Sequence, residues 1–261
     1  MKIGGNTGFQ PSSTLQKSQE TREKLFEQIA TGLRINQAAD DAAGLQVSNQ
    51  ITSQINGQNQ AIRNANDGIS LAQVAEGALS GVTDAAFRIE ELSIQAANGT
   101  LGPDQRQAIQ AEITQLQGQI SDTFSQTRFG DQQVFGGSFE LQVGANANET
   151  IGLNVGSSSL ADIDVTTQAG AQAAISTVQS FREGIDSNRA QLGAFQNRAE
   201  STINNLQNIN ENSEASRSRI RDTDIAGAVS RETAAGIQSQ AAIALQAQAN
   251  FSNRQALNLL S

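Results

Sequence analysis

The chain contains only two prolines, Pro11 and Pro103, so residues 12–102 and 104–261 run without one. A proline inside a helix costs about 3 kcal/mol, and its absence over such lengths permits very long helices. The apolar residues are spaced to use that freedom. Leu25, Ile29 and Leu33 recur at four-residue steps in a first helix, from Leu15 to about Arg34. Ile51, Ile55, Ile62, Ala65, Ile69, Ala72 and Leu79 mark a second, from about Leu45 to Asn98, continued by Val82, Ala86, Ile89 and Ala96 after a register slip near Glu76. At 1.5 Å per residue this second helix is a rod of roughly 80 Å. Asn98-Gly99-Thr100-Leu101-Gly102-Pro103 reverses the chain, with glycine suited to a C-cap and Pro103 to the first turn of a third helix. That helix reaches about Gln126 along Ile109, Ile113, Leu116, Ile120 and Phe124. A fourth runs from about Gln168 to Ser216, and after a break over residues 217–224 a fifth runs from Ile225 to about Leu260.

Between the third and fourth helices the apolar period falls to two. Phe139, Leu141 and Val143 alternate with polar residues, as do Ile151, Leu153 and Val155, on either side of Gly144–Glu149. This predicts a β-hairpin with one apolar face and a looser loop from Gly156 through Ser159. The resulting fold class is mainly α: long antiparallel coiled-coil helices with a small central β-hairpin region. Each seam needs a partner, and antiparallel packing brings the two ends of the chain together. The expected organisation is a discontinuous domain of residues 1–43 and 220–261, a helical hairpin at 44–130, the β-hairpin and loop at 131–171, and a returning helix at 172–219. The small, polar stretch from Gly32 to Leu45 reads as a spoke between the first two helices, with Asp40 or Asp41 near a helix N-terminus.

Composition sets the chemistry aside. The chain has no His, Cys, Trp or Tyr, which removes His-based triads, thiolate chemistry, zinc sites and disulfides. A carboxylate-only metal site survives in principle, but Glu90 and Glu91 are adjacent on a helix and diverge, and Asp40 and Asp41 are better spent on capping. No catalytic, cofactor-binding or metal-binding residue is expected. Leu, Ile, Val and Phe make up about 23% of the chain, beside 37 Ala and 33 Gln, which suits thin helical seams rather than a thick core. No run of apolar residues is long enough to span a membrane. The opening Met1–Gly8 has no apolar h-region, so a cytoplasmic address is the default expectation.

The net charge of −9 repels nucleic acid and anionic lipid, so neither is expected as a partner. Residues 1–42 and 217–261 together sum to +2 and the middle to −11. One reading is an acidic solvated surface between neutral ends; the other is that both ends leave water together. The last helix bears on the choice. Ala226, Ala228, Ala234, Ala235, Ala241, Ala242, Ala244, Ala247 and Ala249 lie around much of its circumference, which permits close approach by several helices. A solvated Ala/Gln helix is the competing reading.

Several blocks form a pattern. Gly32-Leu33-Arg34-Ile35-Asn36, Asp40-Asp41-Ala42-Ala43-Gly44-Leu45, Arg63-Asn64-Ala65-Asn66-Asp67-Gly68-Ile69-Ser70-Leu71-Ala72-Gln73, Ala75-Glu76-Gly77-Ala78-Leu79 and Gln95-Ala96-Ala97-Asn98-Gly99-Thr100 stand in the first half. Arg221-Asp222-Thr223-Asp224-Ile225-Ala226, Gln246-Ala247-Gln248-Ala249-Asn250 and Leu257-Asn258-Leu259-Leu260 stand near the other end. In this order they resemble bacterial flagellin over nearly the whole chain. The opening Gly4-Gly5-Asn6-Thr7-Gly8 and the stretch Ile29-Ala30-Thr31 depart from the usual pattern. About 40 residues hold the place where many flagellins carry large outer domains, so the resemblance implies a short form.

That resemblance implies a subunit that polymerises with itself into a helical filament used for swimming. Its terminal helices would form an inner tube, with Leu25, Ile29, Leu33, Ile225, Leu245, Phe251, Leu257, Leu259 and Leu260 as self-assembly residues. The long helices and hairpin would form the outer tube. It also implies export through the flagellar channel without a cleaved signal, hence an extracellular address, and partners among the export chaperone, cap and junction proteins. A Toll-like receptor of animal hosts is implied at Arg88, Glu91, Leu92 and Glu112, with Glu90 as a new negative charge at the rim. The hook–filament junction protein, which shares such terminal helices, is the alternative. An inserted metallopeptidase is a third reading, which the absence of any His-Glu-x-x-His motif opposes.

Overall fold

The computed structural model describes residues 11–260, without the side chains of residues 11, 12, 14, 252, 253 and 256–260. Five helices carry the chain: α1 (Pro11–Thr31), α2 (Ala42–Ala96), α3 (Pro103–Gln126), α4 (Gln168–Arg221) and α5 (Ile225–Leu260). Between α3 and α4 lie two antiparallel strand pairs: β1 (Arg128–Phe129) with β2 (Gln132–Gln133), and β3 (Ser138–Gln142) with β4 (Thr150–Asn154). The described residues form two compact units, residues 11–53 with 212–260, and residues 54–211. The division between them falls within α2 and within α4.

In the terminal unit α1 and α5 pack antiparallel, tied by the Ser18 hydroxyl donating to the Ala235 carbonyl at 2.9 Å and by an Arg22–Glu232 ion pair at 3.2 Å. The seam is thin. Among the described side chains of these helices, the buried apolar ones are Leu25, Ala228, Ala235 and Ala242. α1 stops three residues earlier than its spacing predicts because Gly32 turns the chain at φ +71°, a conformation glycine adopts without steric cost. α4 runs five residues further than predicted, to Arg221, so the break before α5 is only Asp222–Asp224. Asp224 Oδ1 accepts from Gly227 N–H at 3.2 Å and so caps α5.

The unit of residues 54–211 holds the larger core. One stripe of α2 buries Ile55, Ala65, Ala72 and Leu79 at three- and four-residue multiples; from Leu71 onward a second row joins it, with Ala75, Ala85 and Leu92. The stripe widens where α2 has neighbours on two sides: Arg88 reaches Glu112 on α3, and Glu90 reaches Arg182 on α4. The hairpin follows the predicted alternation, with Phe139 opposite Leu153 and Leu141 opposite Ile151. Ile151, Leu153 and Val155 are buried in the core with Ile113, Ile185 and Leu192. The loop after β4 is held by the Gln110 side chain, which donates to the Ile163 carbonyl and accepts from Val165 N–H, both at 2.7 Å. One amide thus satisfies two backbone groups as a strand neighbour would.

Candidate assembly surface

The outer face of α5 is the feature of the terminal unit that its own fold does not use. Ala228, Ala235, Ser239 and Ala242 form its buried stripe. Ile225, Val229, Ile237, Ile243, Leu245 and Phe251 are exposed, Ile237 at 63%. At 100° per residue these six fall over most of the remaining circumference, so no single neighbour covers them. On α1, Phe26 is 70% exposed beside the buried Leu25. Of the expected self-assembly residues, Leu25 is spent on the α1–α5 seam, Ile29 and Leu33 are half-buried, and Ile225, Leu245 and Phe251 are free to meet another molecule. The side chains of Leu257, Leu259 and Leu260 lie outside the described residues. Phe26, Val229, Ile237 and Ile243 were missed by the spacing argument. Their signal is an apolar residue off the seam, in helices whose seam is mostly alanine.

Next to this surface the spoke is fastened by hydrogen bonds. Leu33 and Asp222 form an antiparallel bridge; Arg34 N–H donates to the Arg221 carbonyl at 2.6 Å, and Thr223 N–H to the Gly32 carbonyl at 3.0 Å. The Arg34 guanidinium donates to the Ile220 carbonyl and Arg221 Nε to the Ile35 carbonyl at 3.3 Å. The two aspartates divide the work. Asp41 Oδ1 accepts from Gly44 N–H at 2.9 Å and caps α2 as expected. Asp40 does not cap a helix; its Oδ2 accepts from Asn36 and Gln37 N–H, each at 3.1 Å, and its Oδ1 from Lys24 Nζ at 2.7 Å. The Lys24 bond, then the two backbone donors, pull its carboxyl from the ordinary 3.8 down to about 2.

In the other unit, Arg88 lies on the surface with Glu112 at 2.9 Å and Glu91 at 2.6 Å. Glu112 foremost, then Glu91, raises the guanidinium's pKa. Leu92 is not part of this surface. It is 2% exposed, in the core with Ile89 and Ile113, because the second row of the α2 stripe turns it inward. Glu90 is not a free rim charge either. It is half-buried against α4, paired with Arg182 at 2.7 Å and accepting from Gln179 at 3.3 Å, and the Arg182 guanidinium stacks 3.9 Å over Phe87. Among the described residues no cluster of acidic side chains is arranged to hold a metal, and no helix is long and apolar enough to cross a membrane.

Residues 9–140 match the family model of the bacterial flagellin N-terminal helical region, and residues 175–260 that of the C-terminal helical region. The chain belongs to the bacterial flagellin family. It is similar to a flagellin of Halalkalibacterium halodurans, 40% identical over 91% of each chain. It is also similar to the flagellar filament 31.3 kDa core protein of Treponema maltophilum, 36% identical over 91% of each. Flagellin B of Vibrio cholerae is 31% identical over all of both chains, in an alignment of 375 residues. Against the 261 residues here, that relative carries segments this flagellin lacks, as the short form implied. The crystal structure of Bacillus cereus flagellin shares the fold, with a TM-score of 0.50 and 24% identity over 55% of this chain and 88% of that one. This flagellin is thus a structural subunit of the bacterial flagellar filament that drives swimming, and the junction-protein alternative is not favoured.

Proposed function

We propose that this flagellin polymerises through the apolar residues that α1 and α5 leave on their outer faces, burying them between copies as an inner tube. The observation that carries this reading is the spread of Ile225, Val229, Ile237, Ile243, Leu245 and Phe251 around α5, away from its buried alanine stripe. A helix that is apolar over most of its circumference is stable in water only among several neighbours. Residues 1–43 and 220–261 then act as one assembly domain, with Leu257, Leu259 and Leu260 continuing the surface. The outer tube comprises the helical hairpin at 44–130, the β-hairpin and loop at 131–171 and the returning helix at 172–219. Before assembly the same surface needs cover, which gives an export chaperone its binding site, and the cap and junction proteins meet it at the filament ends. The subunit works outside the cell, exported through the flagellar channel.

The test is the double variant Ile243→Asp with Phe251→Asp. Seeded wild-type protein pellets as filaments; the variant stays monomeric by sedimentation with an unchanged helical circular dichroism signal. Pelleting filaments from the variant would remove the α5 surface from assembly. A host Toll-like receptor reads Arg88, Glu91 and Glu112, which form one exposed charged group. Arg88→Ala then lowers monomer signalling in a receptor reporter assay, and an unchanged signal would exclude that contact.

A further inference from the structure

The reversal between α2 and α3 carries a reactive arrangement that assembly does not explain. Asn98 and Gly99 are exposed and lie outside both helices. Among the described residues no backbone acceptor takes the Gly99 N–H. The Asn98 side chain turns back toward the main chain that follows it, its Oδ1 accepting from Thr100 N–H at 3.2 Å. The Asn98 main-chain carbonyl accepts from Arg106 Nη2 at 3.0 Å and from Leu101 N–H at 3.3 Å. Arg106 is itself fixed by Nε donating to the Ala96 carbonyl at 2.9 Å.

The geometry points to a self-modification site at which Asn98 is converted to aspartate and isoaspartate by the Gly99 nitrogen. Hydroxide takes the Gly99 N–H proton, and the nitrogen attacks Asn98 Cγ. The new N–Cγ bond closes a five-membered succinimide as the Cγ–Nδ2 bond breaks; the side-chain nitrogen takes up a proton and leaves as ammonia. Water then adds to one of the two ring carbonyls. Water at the Asn98 main-chain carbonyl carbon breaks its bond to the Gly99 nitrogen and gives isoaspartate; water at Cγ breaks the new N–Cγ bond and gives aspartate. No oxidant or reductant is needed. The deprotonated nitrogen shares its charge with the Asn98 main-chain oxygen, which is the atom Arg106 and Leu101 N–H hold. Hydrogen bonding to the charged form favours it. The side-chain oxygen, negative in the tetrahedral intermediate, faces Thr100 N–H. In the isoaspartate product the former main-chain carbonyl becomes a carboxylate beside Arg106. Asn56-Gly57 has the same two residues but lies inside α2, where the Gly57 N–H belongs to the helix ladder and attack requires local opening. The product accumulates with time, so the reversal records the age of a copy.

The test is slow incubation of the full chain at neutral and at mildly alkaline pH, followed by peptide mapping by mass spectrometry. In the folded chain Asn98 converts at least about tenfold faster than Asn56, the factor that 1.4 kcal/mol of helix opening imposes. In urea the two convert at the same rate, and alkali speeds both. Arg106→Gln slows conversion at Asn98, and Arg106→Lys restores part of it. Asn98 converting no faster than Asn56 in the folded chain would overturn the site. An Arg106→Gln rate equal to or above wild type, as a merely loosened turn would give, would overturn the activating role of Arg106.

Discussion

Truncating Ile237 to alanine separates assembly from folding. Its side chain is 63% exposed in the single chain, so the helix pair gains little from it. Fully burying an isoleucine stabilises by about 1.5–3 kcal/mol, and the unburied share of that is about 1–2 kcal/mol still to be realised in the polymer. One or two kcal/mol is a factor of about 5–30 in an equilibrium constant. Ile237→Ala therefore raises the critical concentration for seeded polymerisation by about 5–30-fold. Alanine keeps the helix, and an exposed substitution changes monomer stability by no more than about 0.5 kcal/mol. Soluble protein remaining after pelleting gives the first quantity, and a urea melt of monomer gives the second. An unaltered critical concentration for Ile237→Ala, or a monomer loss as large as the polymer loss, would refute the reasoning.

Leu92→Ala destabilises the folded chain by about 2–5 kcal/mol in urea, as expected for a leucine in the core, whereas Arg88→Ala changes it by less than about 0.5 kcal/mol. Equal effects would return Leu92 to the surface. Asp40 has a folded pKa below its ordinary 3.8, at about 2, so its carboxylate contributes stability above the ordinary value and loses it as pH falls through the folded one. The stability gap between wild type and Asp40→Asn is therefore full at neutral pH and closes between about pH 4 and pH 2; a gap that is constant down to acid pH would exclude the Lys24–Asp40 latch. Two helical glycines differ in sign. Gly77 has open space around it, and Gly77→Ala stabilises the monomer by about 0.5–1 kcal/mol. A Cβ on Gly57 would lie 2.8 Å from Ala145 Cβ and 3.2 Å from its backbone Cα, and Gly57→Ala destabilises by about 1–3 kcal/mol despite the better propensity. Urea melts that rank both variants alike would show that the close approach to Ala145 is absent.

The long elements were legible because their signals are local. Pro103 at the first turn and Ile109, Ile113, Ile120 and Phe124 at helical spacing gave α3 with the same ends that the structure shows. Alternation along Phe139–Val143 and Ile151–Val155 gave the hairpin. The two-residue ribbon β1–β2 was not legible, since Gln132 and Gln133 carry no alternation and the turn rests on Gly130 at φ +58°. The spoke's fastening was hidden for another reason: Arg34 and Arg221 are far apart in sequence, and their pairing depends on backbone carbonyls. Leu92 is instructive. It lies three residues after Ile89 on the same stripe, and that spacing alone would have placed it in the core; the family resemblance drew it to the surface. Glu90 looked like a free charge because its partner, Arg182, lies on another helix. The α5 surface was half legible, in its alanines, while the exposed Ile237 and Ile243 stand out only once the buried stripe is known.

The central claim is that filament formation buries the outer faces of α1 and α5. Hydroxyl-radical footprinting of Phe26, Ile237, Ile243 and Phe251 in monomer and in sheared filaments reads it directly. All four label readily in the monomer, as their exposure requires, and the account predicts that the filament suppresses labelling at all four while Ile94, exposed in the other unit, serves as a reference measured alongside. Labelling of the four residues in filaments at the monomer level would contradict it.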